Sequence, residues 1–334
     1  MNNVVILSGN ANIKLAQDIG NKLKINLNLN NIPSMFANTE FHSRIHDNLR
    51  GKDIFIINSG CINKSKNLSI NDIIFETLIL VDACRRSMAS SVNIIMPNYP
   101  YARGDKKDEP RAPIPAKLVS NLFTSVKIDR LVSIDLHSTQ IQGYIDIPFD
   151  NLYSLNLVID VLNEHLFKNL TLEEKQNKFI VVSPDAGATK RTLSFSSRMK
   201  LNTIIMHKQR NYIKKSTIDK TIMISDEVID NKTAIICDDI ADTCGTLIRA
   251  CESLVNKGIK DIICVVTHGI FSNDAIKKIN ECDYIKEFYV SDSIPQDENI
   301  KLCSKLKVYT LSDLLADCIR RIIMKESISE LFAY

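Results

Sequence analysis

No apolar run in this chain approaches the roughly 20 residues that a membrane-spanning helix needs. Neither sign of charge dominates: 42 Lys and Arg against 39 Asp and Glu leave +3, which gives no global pull toward nucleic acid or an anionic surface. The nine cysteines form no C-x-x-C pair. Cys84, Cys237, Cys251 and Cys264 lie inside apolar patterns, so they read as reduced core residues, not as a disulfide framework or a zinc site. No short internal repeat is present, which excludes solenoids and propellers. No basic leader precedes the first apolar strand at Val4–Leu7, so a cytoplasmic protein is expected. The recurrence of Asn, Ile and Lys fits an AT-rich coding bias and says little about function.

What is present is a regular rhythm. With 334 residues and 45% apolar content, the chain is long enough for about two domains with sizeable cores. Short apolar runs read as buried strands at Val4–Leu7, Ile54–Ile57, Val92–Met96, Leu131–Leu136, Phe179–Val182, Thr203–Met206, Ala234–Cys237 and Ile262–Thr267, with later ones near Phe288–Ser291 and Val308–Thr310. Helical spacings fall between them. One helix is announced by the Ser69-x-x-Asp72 cap and runs to about Arg86, and a last one starts at Ser312. The polar stretch LTLEEKQNK after Phe167 reads as a linker. Strands alternating with helices predict an α/β protein of two domains, each a mainly parallel sheet flanked by helices. The boundaries expected are 1–153, 154–310 and a C-terminal helix and tail, 311–334, packing back on the first domain.

Chemistry concentrates at the predicted carboxyl ends of strands. In Thr233–Thr246, TAIICDDIADTCGT, an apolar strand stops at Asp238 and Asp239, and Asp242, Thr243, Cys244, Gly245 and Thr246 form a small-residue turn before a helix. Free N–H groups and the helix dipole there favour a phosphate, and the carboxylates accept from sugar hydroxyls or coordinate Mg²⁺. A phosphorylated sugar satisfies both; the plain alternative is an ordinary turn with Asp242 as the helix cap. Asp135, His137, Asp146 and Asp150 follow another strand and suit Mg²⁺, or else a polar loop with a hydrogen-bonded His. Asp185-Ala-Gly-Ala, with Lys190 and Arg191 beyond, resembles a second phosphate turn, although such turns are common. Arg103, Lys106, Lys107 and Arg111 are either a solvated run or a grip on polyphosphate. Lys208 to Lys220 reads as a basic lid carrying Lys208 and Arg210, or as a disordered linker.

In this order the segments resemble the ribose-phosphate diphosphokinase family. TAIICDDIADTCGTL is similar to its ribose-5-phosphate loop, DLHSTQIQGYIDIPFDNLY to its divalent-cation signature, PYARGDKKDEPRAPIPAKLV to its ATP-contacting loop and SPDAGATKR to its pyrophosphate loop. HKQR opens its catalytic flexible loop, and NSGC, THGIFS and CIRRIIMKESISELF also match, so the likeness runs from Val4 to Phe332. It implies two similar phosphoribosyltransferase-type domains. It places the sugar 5-phosphate on Asp242–Thr246 and the ribose hydroxyls on Asp238 and Asp239. Mg²⁺ would be held by His137 and Asp185, with Asp135, Asp146 and Asp150 around it. Lys208 and Arg210, with His137, would be catalytic. ATP would meet Arg103, Gly104, Asp105, Lys106, Lys107 and Asp108, with adenine received by Phe36, Asn38, Thr39 and Glu40 of a neighbouring subunit. The implied reaction is attack by the ribose C1 hydroxyl on the β-phosphorus of ATP, releasing AMP. A homo-hexamer of three dimers is implied, with phosphate activation and ADP inhibition through Arg50, Ser327 and Ser329.

The chain departs from the family at Gly104, where Gln is usual, and at Ala188, which replaces a Gly and is tolerable only at negative φ. Ser138, Thr139, Ile145 and Phe149 vary the cation signature, and Ile62–Leu68 looks like an insertion. A phosphoribosyltransferase shares the Asp-Asp…Thr-x-Gly-Thr loop but needs neither the Arg103 loop nor a second α/β half. A non-catalytic regulatory subunit would be expected to lose charges that are kept here.

Overall fold

The computed structural model describes residues 3–210, 218–224 and 229–332, excepting the side chains of 207–210 and 218–224. The elements in order are β1 Val4–Ser8, α1 Ile13–Leu23, β2 Ser34–Met35, β3 Phe41–His42, β4 Asp53–Ile57, α2 Ile70–Arg86, β5 Ser91–Ile95, α3 Pro115–Ser125, β6 Arg130–Ile134 and β7 Phe149–Leu152. They continue as α4 Leu155–Leu162, α5 Leu172–Lys178, β8 Phe179–Ser183, α6 Thr189–Met199, β9 Thr203–Arg210, β10 Ile218–Ile224, β11 Thr233–Ala241, α7 Gly245–Val255 and β12 Asp261–Gly269. The last are α8 Ala275–Glu281, β13 Ile285–Ser291, α9 Asn299–Leu302, β14 Leu306–Tyr309 and α10 Ser312–Met324. Among the described residues no helix is long and apolar enough to cross a membrane.

Two compact units result. The first comprises residues 1–154, 293–295 and 310–333, and the second 155–292 and 296–309. In the first, a five-stranded all-parallel sheet runs β1-β4-β5-β6-β7. Its strands are continuous apolar runs because helices cover them: Ile54, Ile56, Val92, Ile94 and Leu131 pack with Leu78, Val81, Val119 and Phe123 of α2 and α3. Each such fully buried side chain is worth about 1.5–3 kcal/mol. The Ser69–Asp72 capping box starts α2 as its sequence predicts, the Ser69 oxygen accepting from Asp72 N–H at 3.2 Å.

In the second unit a seven-stranded sheet runs β10-β9-β8-β11-β12-β13-β14, parallel except for the antiparallel β9–β10 pair. From β8 the chain builds outward through β9 and β10, then returns to the other side of β8 with β11. The order therefore reverses between β8 and β11, the crevice where open α/β sheets bind ligands. The core beneath is made by Ile180, Val182, Ile236, Cys264 and Val266 against Leu247, Cys251 and Leu254 of α7.

Three local readings are corrected. LTLEEKQNK is not a linker: Leu172–Lys178 is α5, opened by a capping box in which Thr171 Oγ1 accepts from Glu174 N–H at 3.2 Å. β11 does not stop at Asp238 but runs to Ala241, because its pairing with β12 continues to Ala241–Gly269 after its pairing with β8 ends at Ile236–Val182. β9 continues past Met206 to Arg210, paired with β10, so the start of the supposed lid is sheet. Residues 211–217 of that segment lie outside the described residues. Nine free cysteines, eight of them buried, match the reduced-core reading.

Candidate active site

The switch point puts two turns side by side at the carboxyl ends of β8 and β11. After β8, Asp185 begins a turn whose Oδ1 accepts from Ala188 N–H at 3.1 Å. Gly187 keeps that turn tight, since a Cβ there would lie 3.3 Å from Asp185 Oδ1. Ala188 has φ −80°, so no glycine is required and the substitution is unstrained. The backbone then enters α6.

After β11, Asp238 and Asp239 stand where one neighbouring strand has already ended. Asp239 N–H donates to Asp238 Oδ1 at 2.9 Å. Burial first, then the neighbouring Asp239 and Asp185 charges, push the Asp238 carboxyl up to about 8. A cation or hydrogen-bond donors placed beside the pair would offset that repulsion and draw the carboxyl back toward its ionised form. Arg191 Nη1, 3.4 Å from the Asp238 carbonyl and from Thr267 Oγ1, brings positive charge to the same strand end. The helix cap is Cys244, at φ 57° with no side-chain cap bond, and not Asp242 as the sequence allowed. Cys244 is buried, while Gly245 has no atom within 4 Å of where a Cβ would sit, leaving open space at the N-terminus of α7. A helix of 11 residues with an open first turn presents N–H groups suited to phosphate. Lys278 reaches the Thr243 carbonyl at 3.4 Å and pairs with Asp274 at 2.7 Å, a cation that the sequence reading did not single out. Lys208 and Arg210 stand on β9 opposite Thr221 and Ile218; their side chains lie outside the described residues.

The first unit carries the other predicted residues. His137 is exposed at the turn after β6, and Asp146 is exposed farther along the loop. Asp135 is buried, its carboxylate accepting from Ser154 Oγ at 2.5 Å and Ser154 N–H at 3.2 Å. Asp150 pairs with Arg130; burial holds its carboxyl above the usual range, against the pull of that guanidinium. Among the described residues no three His, Cys, Asp or Glu side chains gather as a metal cage. Mg²⁺ on a polyphosphate needs none, since it keeps waters and phosphate oxygens and takes one or two protein donors. His137 in the first unit and Asp185 in the second are each a side chain able to donate to such an ion.

Arg103, Lys106, Lys107 and Asp108 are exposed on the loop between β5 and α3, with Asp105 and Gly104 half-buried, and Tyr144 Oη donates to the Asp105 carbonyl. Gly104 sits against α3: a Cβ there would be 2.9 Å from Pro115 Cδ. The missing side chain thus has a packing reason. Phe36, Asn38, Thr39 and Glu40 form the exposed tip of the β2–β3 hairpin, closed by Phe36 N–H to the Glu40 carbonyl at 2.8 Å. Arg50, Ser327 and Ser329 are exposed, with Ser327 Oγ donating to Ser329 Oγ at 3.0 Å.

Residues 4–126 match the N-terminal domain of ribose phosphate pyrophosphokinase, and residues 213–333 match the phosphoribosyl synthetase-associated domain. The crystal structure of phosphoribosylpyrophosphate synthetase from Mycobacterium smegmatis matches with a TM-score of 0.85 and 31% identity, over 97% of this chain and 99% of that one. An adenine phosphoribosyltransferase from Thermoanaerobacter pseudethanolicus matches 40% of this chain and 77% of its own, at 21% identity and a TM-score of 0.27, too low to carry an argument. Two family models and a full-length structural match show that the chain belongs to the ribose-phosphate pyrophosphokinase family.

Proposed function

We propose that this protein transfers the diphosphoryl group of ATP to the C1 hydroxyl of ribose 5-phosphate, forming 5-phospho-α-D-ribose 1-diphosphate and AMP for nucleotide biosynthesis. The observation that carries the reading is the likeness along the whole chain, which a phosphoribosyltransferase of one α/β half cannot offer.

The second unit supports the acceptor half. The N–H groups of Gly245 and Thr246 receive the 5-phosphate, with Asp242, Thr243 and Cys244 shaping the loop. Asp238 and Asp239 accept from the ribose hydroxyls and fix the ring, so that the C1 hydroxyl has one direction open. Asp185–Ala188 accommodates the diphosphoryl group. ATP is held by the Arg103–Asp108 loop, and adenine by Phe36, Asn38, Thr39 and Glu40 of a neighbouring subunit. His137 and Asp185 hold Mg²⁺, with Asp135, Asp146 and Asp150 in the surrounding signature. When bound, the ion neutralises charge on the transferring phosphates. Lys208 and Arg210 stabilise negative charge that grows in the transition state.

The same reading makes the protein a cytoplasmic hexamer of three dimers, activated by inorganic phosphate and inhibited by ADP at Arg50, Ser327 and Ser329. Purified protein incubated with ATP, Mg²⁺ and ribose 5-phosphate should release AMP only when the sugar is present. Rates unchanged by millimolar phosphate would remove the regulatory assignment.

A further inference from the structure

The turn that carries His137 is built in an unusual way. Asp135, immediately after β6, has φ 44°, in the left-handed region that non-glycine residues enter at a cost. Three contacts, from Leu152 at the end of β7 and from Ser154 two residues beyond it, hold it there. Asp135 N–H donates to the Leu152 carbonyl at 2.8 Å, and the carboxylate accepts from Ser154 Oγ at 2.5 Å and Ser154 N–H at 3.2 Å. The next N–H, that of Leu136, donates to Asn151 Oδ1 at 2.9 Å. Asp135, Leu136, Asn151 and Ser154 are all buried, whereas His137, one residue on, is exposed. The two backbone steps before His137 are thus fixed from one side by a strand edge.

We infer that Ser154 and Asn151 are positioning residues for His137, and that Asp135 serves as the clamp of this turn and not as a metal ligand. The inference rests on the proposed Mg²⁺ role of His137. A carboxylate that spends an oxygen on both the hydroxyl and the N–H of Ser154 in a buried pocket is placed to hold backbone. An outer partner that orients a metal-binding imidazole commonly changes metal affinity by about 10–100-fold when lost.

Two substitutions at one position separate clamp from ligand. Both Asp135→Ala and Asp135→Gly remove the carboxylate, but only glycine adopts φ 44° without steric cost. In the full chain with ATP, Mn²⁺ affinity read by electron paramagnetic resonance should fall at least about tenfold in D135A and stay within about fivefold of the parent in D135G. Ser154→Ala should behave like D135A, and Ser154→Thr, which keeps the hydroxyl, should restore the parent value. Hydrogen exchange at Leu136 N–H reads the clamp without metal: D135A and Asn151→Ala lose protection, and D135G keeps it. Parent Mn²⁺ affinity in Ser154→Ala beside a loss in D135A would make Asp135 a ligand and overturn the inference. Unchanged Leu136 exchange in D135A would overturn it as well. His137→Ala with parent Mn²⁺ affinity would remove the metal reading itself, and the exchange data would still decide the clamp.

Discussion

Replacing Glu76 by leucine should loosen the turns that follow β1 and β4 in the first unit. Glu76 lies on α2 and is wholly buried. Asn10 N–H stands 3.1 Å from each of its carboxylate oxygens, Asn10 Nδ2 also donates to it, and Asn58 Nδ2 does so at 3.0 Å. Asn10 Nδ2 keeps the Pro33 carbonyl at 2.9 Å and Asn58 Nδ2 keeps Thr77 Oγ1 at 2.9 Å, so leucine would orphan only the Asn10 N–H outright. One buried orphan costs about 1–3 kcal/mol, and lost charge-assisted bonds add to it, while relief from burying a carboxylate offsets part. The expected net is about 2–3 kcal/mol, or roughly 4–12 °C in the melting of the first unit. Glutamine keeps one acceptor but turns an amide toward the Asn58 donor, and should cost about 1 kcal/mol.

The pH dependence gives the sharper test. Burial raises the Glu76 carboxyl, and the Asn10 and Asn58 donors and Lys66 only partly restore it. The folded state therefore holds this proton more tightly than the unfolded chain. Stability from the group is complete below the ordinary glutamate range, near pH 4, and is lost as pH rises through the elevated folded value. Differential scanning calorimetry should show the stability gap between parent and Glu76→Gln shrinking from about pH 4 upward. An E76L variant melting within about a degree of the parent, or a gap that widens with pH, would refute the reasoning.

Other outcomes follow from single contacts. Gly104→Ala should destabilise by about 1–3 kcal/mol in denaturant titration, since the new Cβ meets Pro115 Cδ at 2.9 Å. Arg130→Met should cost about 3 kcal/mol by leaving the half-buried Asp150 carboxylate without its guanidinium, and adding Asp150→Asn should recover part of that. Asp317 accepts from Arg320 and Arg321, and although burial works the other way, those bonds hold its carboxyl below the usual range. Its contribution is present above about pH 4 and fades as pH falls through the lowered value, so exchange protection in 317–330 should drop in acid.

Much of the fold was legible because parallel strands buried on both faces leave short apolar runs, as at Asp53–Ile57 and Ile180–Val182. Caps with side-chain partners were legible too, as at Ser69. The Thr171-x-x-Glu174 pattern was equally visible, but α5 buries no residue, so no apolar period drew attention to it. The extension of β11 through Asp238 to Ala241 was hidden because its pairing comes from β12, a partner remote in sequence. Residue types pointed to Asp135 and Asp150 as acids near a cation. The Ser154 and Arg130 contacts that engage them come from chain segments whose proximity only folding reveals. The left-handed backbone at Asp135 and Cys244 carries no sequence mark, because neither is glycine.

The central claim is a diphosphoryl transfer, and AMP release tests it most directly. With ATP, Mg²⁺ and ribose 5-phosphate, the purified chain should form one AMP for each 5-phospho-ribose 1-diphosphate, and Lys208→Ala should abolish most of the rate while leaving the fold intact. AMP formation that is absent, or that proceeds equally without ribose 5-phosphate, would contradict the account.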